Sequence, residues 1–190
     1  DEQHLRSLIA KPQGMILVTG PIGSGKTTTL YAALNEVNIL TNNIVTIEDP
    51  IEYEVDGVSQ VPVSEKTGLT FSKALRSILR QDPDVILVGE IRDSDTALTA
   101  FHAAMTGHLV LSTLHATDSI SALLRLEELG MTRSVLASAL IGVVGQRLVR
   151  LNCAACAEPD FPRPIYLQQL SIDACHQSRL RQSKGCAQCK

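Results

Sequence analysis

The fold is decided by the stretch Gly20-Pro21-Ile22-Gly23-Ser24-Gly25-Lys26-Thr27, which fits the pattern G-x-x-x-x-G-K-[S/T] at every position. Residues 15–19 before it predict a buried strand, and residues 27–38 after it predict a helix. A glycine-rich turn at a helix N-terminus points its backbone N–H groups inward, and the helix dipole adds positive potential. This stretch therefore predicts a site for the phosphates of a nucleoside triphosphate.

Two side chains of this stretch have distinct predicted roles. Lys26 is expected near the β- and γ-phosphates, and Thr27 is expected on Mg²⁺. The alternative is a glycine-rich turn with a chance lysine, which the flanking strand and helix disfavour. The predicted nucleotide-binding residues are Gly20, Pro21, Ile22, Gly23, Ser24, Gly25, Lys26, Thr27 and Thr28.

Apolar runs alternate with helical patterns along the chain, which predicts an α/β fold with a mostly parallel sheet and helices on both faces. The predicted strands are residues 15–19, 44–47, 58–63, 84–89, 108–112 and 143–151. The predicted helices are residues 27–38, 70–80, 93–105, 120–129 and 131–140. Residues 58–63 can form an edge strand or a hairpin arm, and Asp118 is expected to cap the helix that follows it.

A change of composition after Asn152 predicts two domains, a core at residues 1–152 and a small appendage at residues 153–190. The chain begins without Met and ends one residue after a cysteine, so we expect a fragment of a longer protein. No apolar run approaches the roughly 18–20 residues that span a bilayer. A net charge of −3 and an aromatic content of 3% argue against a nucleic-acid partner.

Two acidic clusters follow predicted strands, at residues 48–52 and 90–93. Because ligands of open α/β sheets bind outside the carboxyl ends of the strands, both clusters should share the edge of the phosphate loop. Carboxylates there can hold Mg²⁺ through water and orient an attacking water. The alternative is a set of ordinary exposed loop acids. Asp84 begins its strand at the other edge and is expected to end the strand instead of binding metal.

Two histidines and two arginines are further candidates for the site, on weaker sequence patterns than the phosphate loop. His115 follows a strand at the nucleotide edge, where an imidazole can sense the γ-phosphate, whereas His108 begins that strand. Either histidine can instead be structural. Arg76 and Arg80 lie four residues apart on one helix face. They can be solvated surface charges, or they can reach a phosphate or a neighbouring subunit.

The cysteines form two C-x-x-C pairs, Cys153–Cys156 and Cys186–Cys189. Four thiolates from two such pairs close a tetrahedral structural Zn²⁺ site. Free cysteines and a redox pair are the alternatives. Cys175, next to His176, is a spare thiol that can replace a ligand.

Together these motifs resemble those of the ATPases that drive type II secretion and type IV pilus assembly. The resemblance runs from Gly14 to Cys189. Residues 20–31 resemble the family's Walker A run, although Ile22 replaces the more usual Thr. Residues 47–53 resemble its aspartate box, residues 75–93 its atypical Walker B region and residues 106–116 its histidine box. Residues 146–150 with the cysteines resemble its zinc element.

The resemblance implies a RecA-like core in which each motif has a role. Glu52 is the expected base or water-orienting carboxylate, with Glu48 and Asp49 in support of the metal shell. Glu90 is expected to hold Mg²⁺ through water, and His115 to sense the γ-phosphate. The expected accessory residues are His108, Arg76, Arg80 and Arg92. The expected zinc ligands are Cys153, Cys156, Cys186 and Cys189.

The resemblance also implies the setting of the whole protein. It predicts a cytoplasmic homohexamer that hydrolyses Mg-ATP at subunit interfaces and docks on an inner-membrane platform protein. Retraction motors lack the cysteine pairs, so the cysteines favour a secretion or assembly motor. An N-terminal domain that completes the active site lies outside this chain, which predicts slow turnover by the chain alone. The alternatives are a nucleic-acid translocase on the same scaffold and a non-catalytic nucleotide-binding module.

Overall fold

The computed structural model describes residues 2–64, 66, 68–162, 164–169 and 179–189. It divides the chain into two units, Asp1–Leu148 and Val149–Lys190. Each unit has its own β-sheet, and the first unit contains the strands and helices expected around the phosphate loop.

A six-stranded sheet runs through the first unit in the order β3-β2-β4-β5-β1-β6, and all of its strand pairings are parallel. The strands are β1 (Gly14–Thr19), β2 (Ile44–Glu48), β3 (Ser59–Pro62), β4 (Val85–Val88), β5 (Leu109–Leu114) and β6 (Leu140–Gly145). The helices are α1 (Glu2–Ile9), α2 (Lys26–Glu36), α3 (Phe71–Ile78), α4 (Ser94–Met105), α5 (Ser119–Glu128) and α6 (Arg133–Ala139). This arrangement confirms the predicted α/β fold.

Helices cover both faces of the sheet, which explains why the central strands are apolar throughout. One core holds side chains of α1 and α2 against alternate strand residues such as Ile16 and Val18. The other core holds α3, α4, α5 and α6 against the intervening residues, such as Met15 and Leu17. Because neighbouring residues of β1 enter different cores, every residue of that strand is buried.

Side-chain caps fix where several of these helices begin. The carboxylate of Asp118 accepts hydrogen bonds from the backbone N–H groups of Ile120 and Ser121, which confirms the predicted cap of α5. Asp93 caps α4 by accepting from the N–H of Thr96 at 2.8 Å. This second cap fixes the start of α4, so that the residues just before it lie at the carboxyl end of β4, the edge of the sheet that also carries the phosphate loop.

Three elements differ from the sequence-based expectation or sharpen it. Helix α1 was not predicted. The last strand was expected at residues 143–151, but β6 begins at Leu140, directly after α6, and ends at Gly145. Of the two possibilities for residues 58–63, the structure shows an edge strand, because β3 pairs in parallel with β2.

The second unit contains a two-stranded antiparallel sheet, formed by β7 (Ala157–Pro159) and β8 (Arg181–Ser183), and the short helix α7 (Pro164–Gln169). The pairing brings the two C-x-x-C segments together at one end of the sheet. Among the described residues, no helix of either unit is both long and apolar enough to cross a bilayer.

Candidate nucleotide and metal sites

The phosphate loop joins β1 to α2 in a backbone shape that depends on glycine. Gly20 has φ +149°, and a Cβ there would lie 2.2 Å from the carbonyl oxygen of Gln146. Gly25 has φ +83° directly before α2, which begins at Lys26. The ammonium of Lys26 donates to the carbonyl oxygens of Gly20 and Pro21 at 3.1 Å each, so it lies across the mouth of the loop.

Gln146, just beyond β6, clamps this loop from the neighbouring strand. Its amide nitrogen donates to the carbonyl oxygen of Ser24 at 2.7 Å, and its amide oxygen accepts from the hydroxyl of Thr29 at 2.7 Å. Its backbone N–H donates to the carbonyl oxygen of Thr19 at 2.8 Å. In the sequence, Gln146 belongs to the segment that resembles the family's zinc element, and no local pattern connects it with a loop more than a hundred residues earlier.

A cavity of about 220 Å³ opens at the carboxyl edge of the sheet, beside the phosphate loop. It gathers residues from the ends of β1, β2, β4 and β5, as the common polarity of the strands requires. The predicted functional residues that line it are Ile22, Gly23, Lys26, Thr27, Glu48, Asp49, Glu52, Glu90 and His115. The two acidic clusters, the histidine and the phosphate loop therefore share one cavity.

Glu90 is the centre of the charged contacts in this cavity. It forms an ion pair with Arg92 and contacts His115, whose Nε2 lies 3.0 Å from a Glu90 carboxylate oxygen. Arg92 also lies 3.7 Å from the carboxylate of Asp49, so it bridges the two acidic clusters. Burial by itself would raise the pKa of Glu90, but the hydrogen bond and charge of Arg92, with a contribution from His115, hold that pKa below its ordinary value. Glu90 is therefore ionised, as a metal-associated carboxylate must be.

Glu48 and Glu52 have contrasting environments, although both belong to the same acidic cluster. Glu48 is 3% exposed and accepts hydrogen bonds from Tyr31, Thr46 and Gln60. Glu52 is exposed at the cavity, and its backbone N–H donates to the hydroxyl of Tyr31 at 3.3 Å. Both residues line the cavity, and of the two carboxylates Glu52 is the one exposed to solvent.

The structure does not bring three of the predicted accessory residues to this cavity. His108 precedes β5 at the opposite edge of the sheet, where its Nδ1 lies 3.0 Å from the carbonyl oxygen of Ala103. Arg76 and Arg80 are exposed near the end of α3, and Arg80 donates to the carbonyl oxygen of Arg76. That end of the helix points away from the cavity, which α3 meets at Phe71, its first residue.

Asp84 lies at the edge opposite the cavity, as predicted. Its carboxylate accepts from the backbone N–H of Asn43 at 2.7 Å, and β4 begins at the next residue. This contact joins the starts of β2 and β4, which is a structural role.

The four paired cysteines form a cluster in the second unit. Their sulfur atoms all lie within 4.8 Å of one another, with Cys153 and Cys186 at 4.0 Å and Cys156 and Cys189 at 3.6 Å. Four thiolates around a tetrahedral Zn²⁺ with bonds of about 2.3 Å would have sulfur atoms about 3.8 Å apart. Hydrogen bonds from the backbone of Ala155 and Cys156 lower the pKa of Cys153 to about 7, whereas the pKa of Cys189, surrounded by the other sulfur atoms, is raised to about 12, so without metal the negative charge is favoured on Cys153.

The cluster therefore fits a structural zinc ion, as the sequence predicted. The spare Cys175 and its neighbour His176 lie outside the described residues.

The fold and the cavity define an α/β protein with a glycine-rich phosphate loop at the carboxyl edge of a parallel sheet. The sequence profile of the family described as "Type II/IV secretion system protein" matches residues 1–190. The chain belongs to this family, as the sequence motifs predicted.

Individual relatives agree with this assignment. "Type II secretion system protein E" of Pectobacterium carotovorum subsp. carotovorum is 51% identical over 189 residues, which are 100% of this chain and 38% of that protein. The chain thus spans well under half the length of such relatives.

Solved structures of similar proteins share the fold. The pilus retraction motor PilT with bound ADP is 38% identical, with a TM-score of 0.69 over 82% of this chain and 52% of that chain. The VirB11 ATPase from the Brucella suis type IV secretion system, in complex with sulphate, is 28% identical, with a TM-score of 0.60 over 72% of this chain and 40% of that chain.

Proposed function

We propose that this chain is the ATP-hydrolysing part of a motor that powers type II protein secretion or type IV pilus assembly. The observation that carries the proposal is the shared cavity, which combines a phosphate loop with acids from two strand ends and His115. Membership of the secretion family supports it, as does the likeness to a pilus motor solved with ADP and to a secretion ATPase. A nucleotide-binding module without catalysis would not need the second acidic cluster.

The cavity fits Mg-ATP by the chemistry of its donors. The backbone of residues 20–25, the ammonium of Lys26 and the hydroxyl of Thr27 are suited to the phosphates and to Mg²⁺, with Thr28 beside them. When bound, Mg²⁺ supplies positive charge to the phosphate oxygens. Asp49 and Glu90 would hold it through water, Glu52 would orient the attacking water, and His115 would sense the γ-phosphate. In this proposal the ion pair between Arg92 and Glu90 sets the position of that carboxylate before nucleotide arrives.

The cysteine cluster would hold one zinc ion that stabilises the second unit. Its two short strands bury little apolar surface, so metal binding has to supply much of its folding free energy. Zinc has no proposed part in hydrolysis.

For the whole protein we propose a cytoplasmic homohexamer that is peripheral to the bacterial inner membrane and acts on a platform protein there. Hydrolysis would take place at subunit interfaces, where a neighbouring subunit completes the cavity. The support is membership of the secretion family and the secretion system named for its relatives, of whose length this chain covers only part.

The test is ATP hydrolysis by the full-length protein and by its Lys26→Ala variant. We expect Lys26→Ala to abolish turnover and to weaken ATP binding, because the ammonium is the charge nearest the terminal phosphates. The matched control is Lys73→Ala, which removes a surface lysine that donates to the carbonyl oxygen of Gly68 and leaves the cavity intact. Unchanged turnover in Lys26→Ala would refute the proposal.

A further inference from the structure

The loop that carries Glu52, residues 49–55, is held by side chains that lie outside it. The backbone N–H of Glu52 donates to the hydroxyl of Tyr31 at 3.3 Å. The side chain of Gln60 accepts from the N–H of Val55 at 2.8 Å and donates to the carbonyl oxygen of Tyr53 at 3.2 Å. Two side chains, Tyr31 from α2 and Gln60 from β3, therefore fix three backbone groups of this short loop.

Both of these side chains also donate to the same carboxylate, that of Glu48. The hydroxyl of Tyr31 donates to Oε2, and Nε2 of Gln60 donates to Oε1 at 3.0 Å. The hydroxyl of Thr46 donates to Oε1 as well, at 2.6 Å. Glu48 thus accepts three hydrogen bonds while it is almost fully buried, which is how a protein satisfies a carboxylate kept away from water.

Tyr31 is the member of this network that belongs to the nucleotide-binding helix. It lies one helical turn after Thr27, so the two side chains are on the same side of α2. Its ring packs on that of Tyr53 with a centroid separation of 4.3 Å. Burial, with the hydrogen bond to Glu48, raises the pKa of Tyr31 to about 12, so its hydroxyl keeps its proton and remains a donor.

We propose that Glu48 is a positioning residue: through Tyr31 and Gln60 it fixes the loop that presents Glu52 to the phosphate cavity. Tyr31 ties that loop to the helix that binds the phosphates, and Gln60 ties it to the edge strand. This inference rests on the proposed ATPase function, in which Glu52 orients the attacking water. It gives Glu48 a role that differs from the metal support implied by the family resemblance.

A structural measurement tests the network without relying on turnover. In the full-length protein, hydrogen–deuterium exchange of peptides that cover residues 49–55 should accelerate in both Tyr31→Phe and Gln60→Leu. Each substitution keeps most of the side-chain volume and removes the hydrogen bonds. Tyr166→Phe, a matched removal of an exposed hydroxyl in the second unit, should leave that exchange at its wild-type rate. Wild-type exchange in all three variants would overturn the proposal.

Steady-state kinetics then separate positioning from chemistry. Tyr31→Phe should lower kcat by about tenfold and leave KM for ATP within about twofold, because the ring and the phosphate loop stay in place. Glu48→Gln keeps an oxygen acceptor, so its kcat should remain within about tenfold of the wild-type kcat. The kcat of Glu52→Gln should fall by about a hundredfold or more, as expected for a group that acts on the attacking water.

A double-mutant cycle gives the sharpest discrimination. Because a hydrogen bond joins Tyr31 to Glu48, the losses of kcat in Tyr31→Phe and Glu48→Gln should be less than additive in the double variant Tyr31→Phe/Glu48→Gln. If Glu48→Gln is as inactive as Glu52→Gln while its loop exchanges at the wild-type rate, the proposal is overturned and Glu48 takes part in the chemistry. A wild-type protein that hydrolyses no ATP would instead refute the proposed function, and the exchange measurement would still decide whether the network holds the loop.

Discussion

Replacing Gln146 by alanine tests whether the phosphate loop depends on its clamp. The substitution removes two side-chain hydrogen bonds, to the carbonyl oxygen of Ser24 and from the hydroxyl of Thr29, each 2.7 Å long. At about 0.5–1.5 kcal/mol for each bond, the free energy of unfolding should fall by about 1–3 kcal/mol. For a unit of this size that loss corresponds to a decrease in Tm of roughly 2–12 °C.

The assay is urea unfolding followed by circular dichroism, with ATP affinity measured in parallel. Arg147→Ala is the matched control, because Arg147 is the exposed neighbour of Gln146 and should change stability by less than about 0.5 kcal/mol. ATP affinity should fall only in Gln146→Ala, since binding must then order a loosened loop. Equal stability of the two variants would show that the loop holds its shape without the clamp.

Three further predictions follow from the fold and the two sites. Gly20→Ala should cost more than about 2 kcal/mol of stability and abolish ATP-induced thermal stabilisation, because its Cβ would meet the carbonyl oxygen of Gln146 at 2.2 Å. The pKa of Glu90 is held below its ordinary value of 4.5, so its pairing with Arg92 stabilises the fold above that pH and is lost on acidification. The stability difference between wild type and Arg92→Ala should therefore shrink in an acid titration; a constant difference would contradict this. Cys186→Ser should lose the bound zinc and expose the second unit to proteolysis; elemental analysis that still finds one zinc per chain would refute the tetracysteine site.

The sequence predicted the core of this fold because its signals are local. Short apolar runs bounded by turns identified the central strands, and the glycine pattern located the phosphate loop. The strand–helix alternation then predicted a parallel sheet. Because the carboxyl ends of parallel strands share one edge, it also predicted where the acidic residues meet. Even the cap at Asp118 could be predicted, since capping depends on the residues that immediately follow.

Other features could not be predicted from the sequence, because their local patterns were ambiguous or their contacts are distant in sequence. Helix α1 does show apolar residues at helical spacing, at Leu5, Leu8 and Ile9, but it is short and its stability comes from packing. The run from α6 into β6 is apolar throughout, so periodicity could not locate the change from helix to strand at Leu140.

The candidate site was predicted as a set of residues and not as a network. That Glu48 would be buried against Tyr31 and Gln60, while Glu52 is exposed at the same cavity, depends on side-chain directions that spacing alone does not give. The same limit applies to Gln146, whose partners are distant in sequence. Gln60 lies on β3 and Gln146 lies just beyond β6, the two outermost strands, so their contacts depend on the order of strands in the sheet.

The position of β6 has a mechanical consequence. It is the outermost strand of the sheet on its side, β1 is the one strand that pairs with it among the described residues, and the chain leaves the first unit only a few residues after it ends. A force that pulls the chain beyond Leu148 along the direction of β6 would load the β1–β6 hydrogen bonds in shear. It would first act on Gln146, which holds both Thr19 and the phosphate loop. Tension on that junction would thus act on the same residue that holds the shape of the phosphate loop.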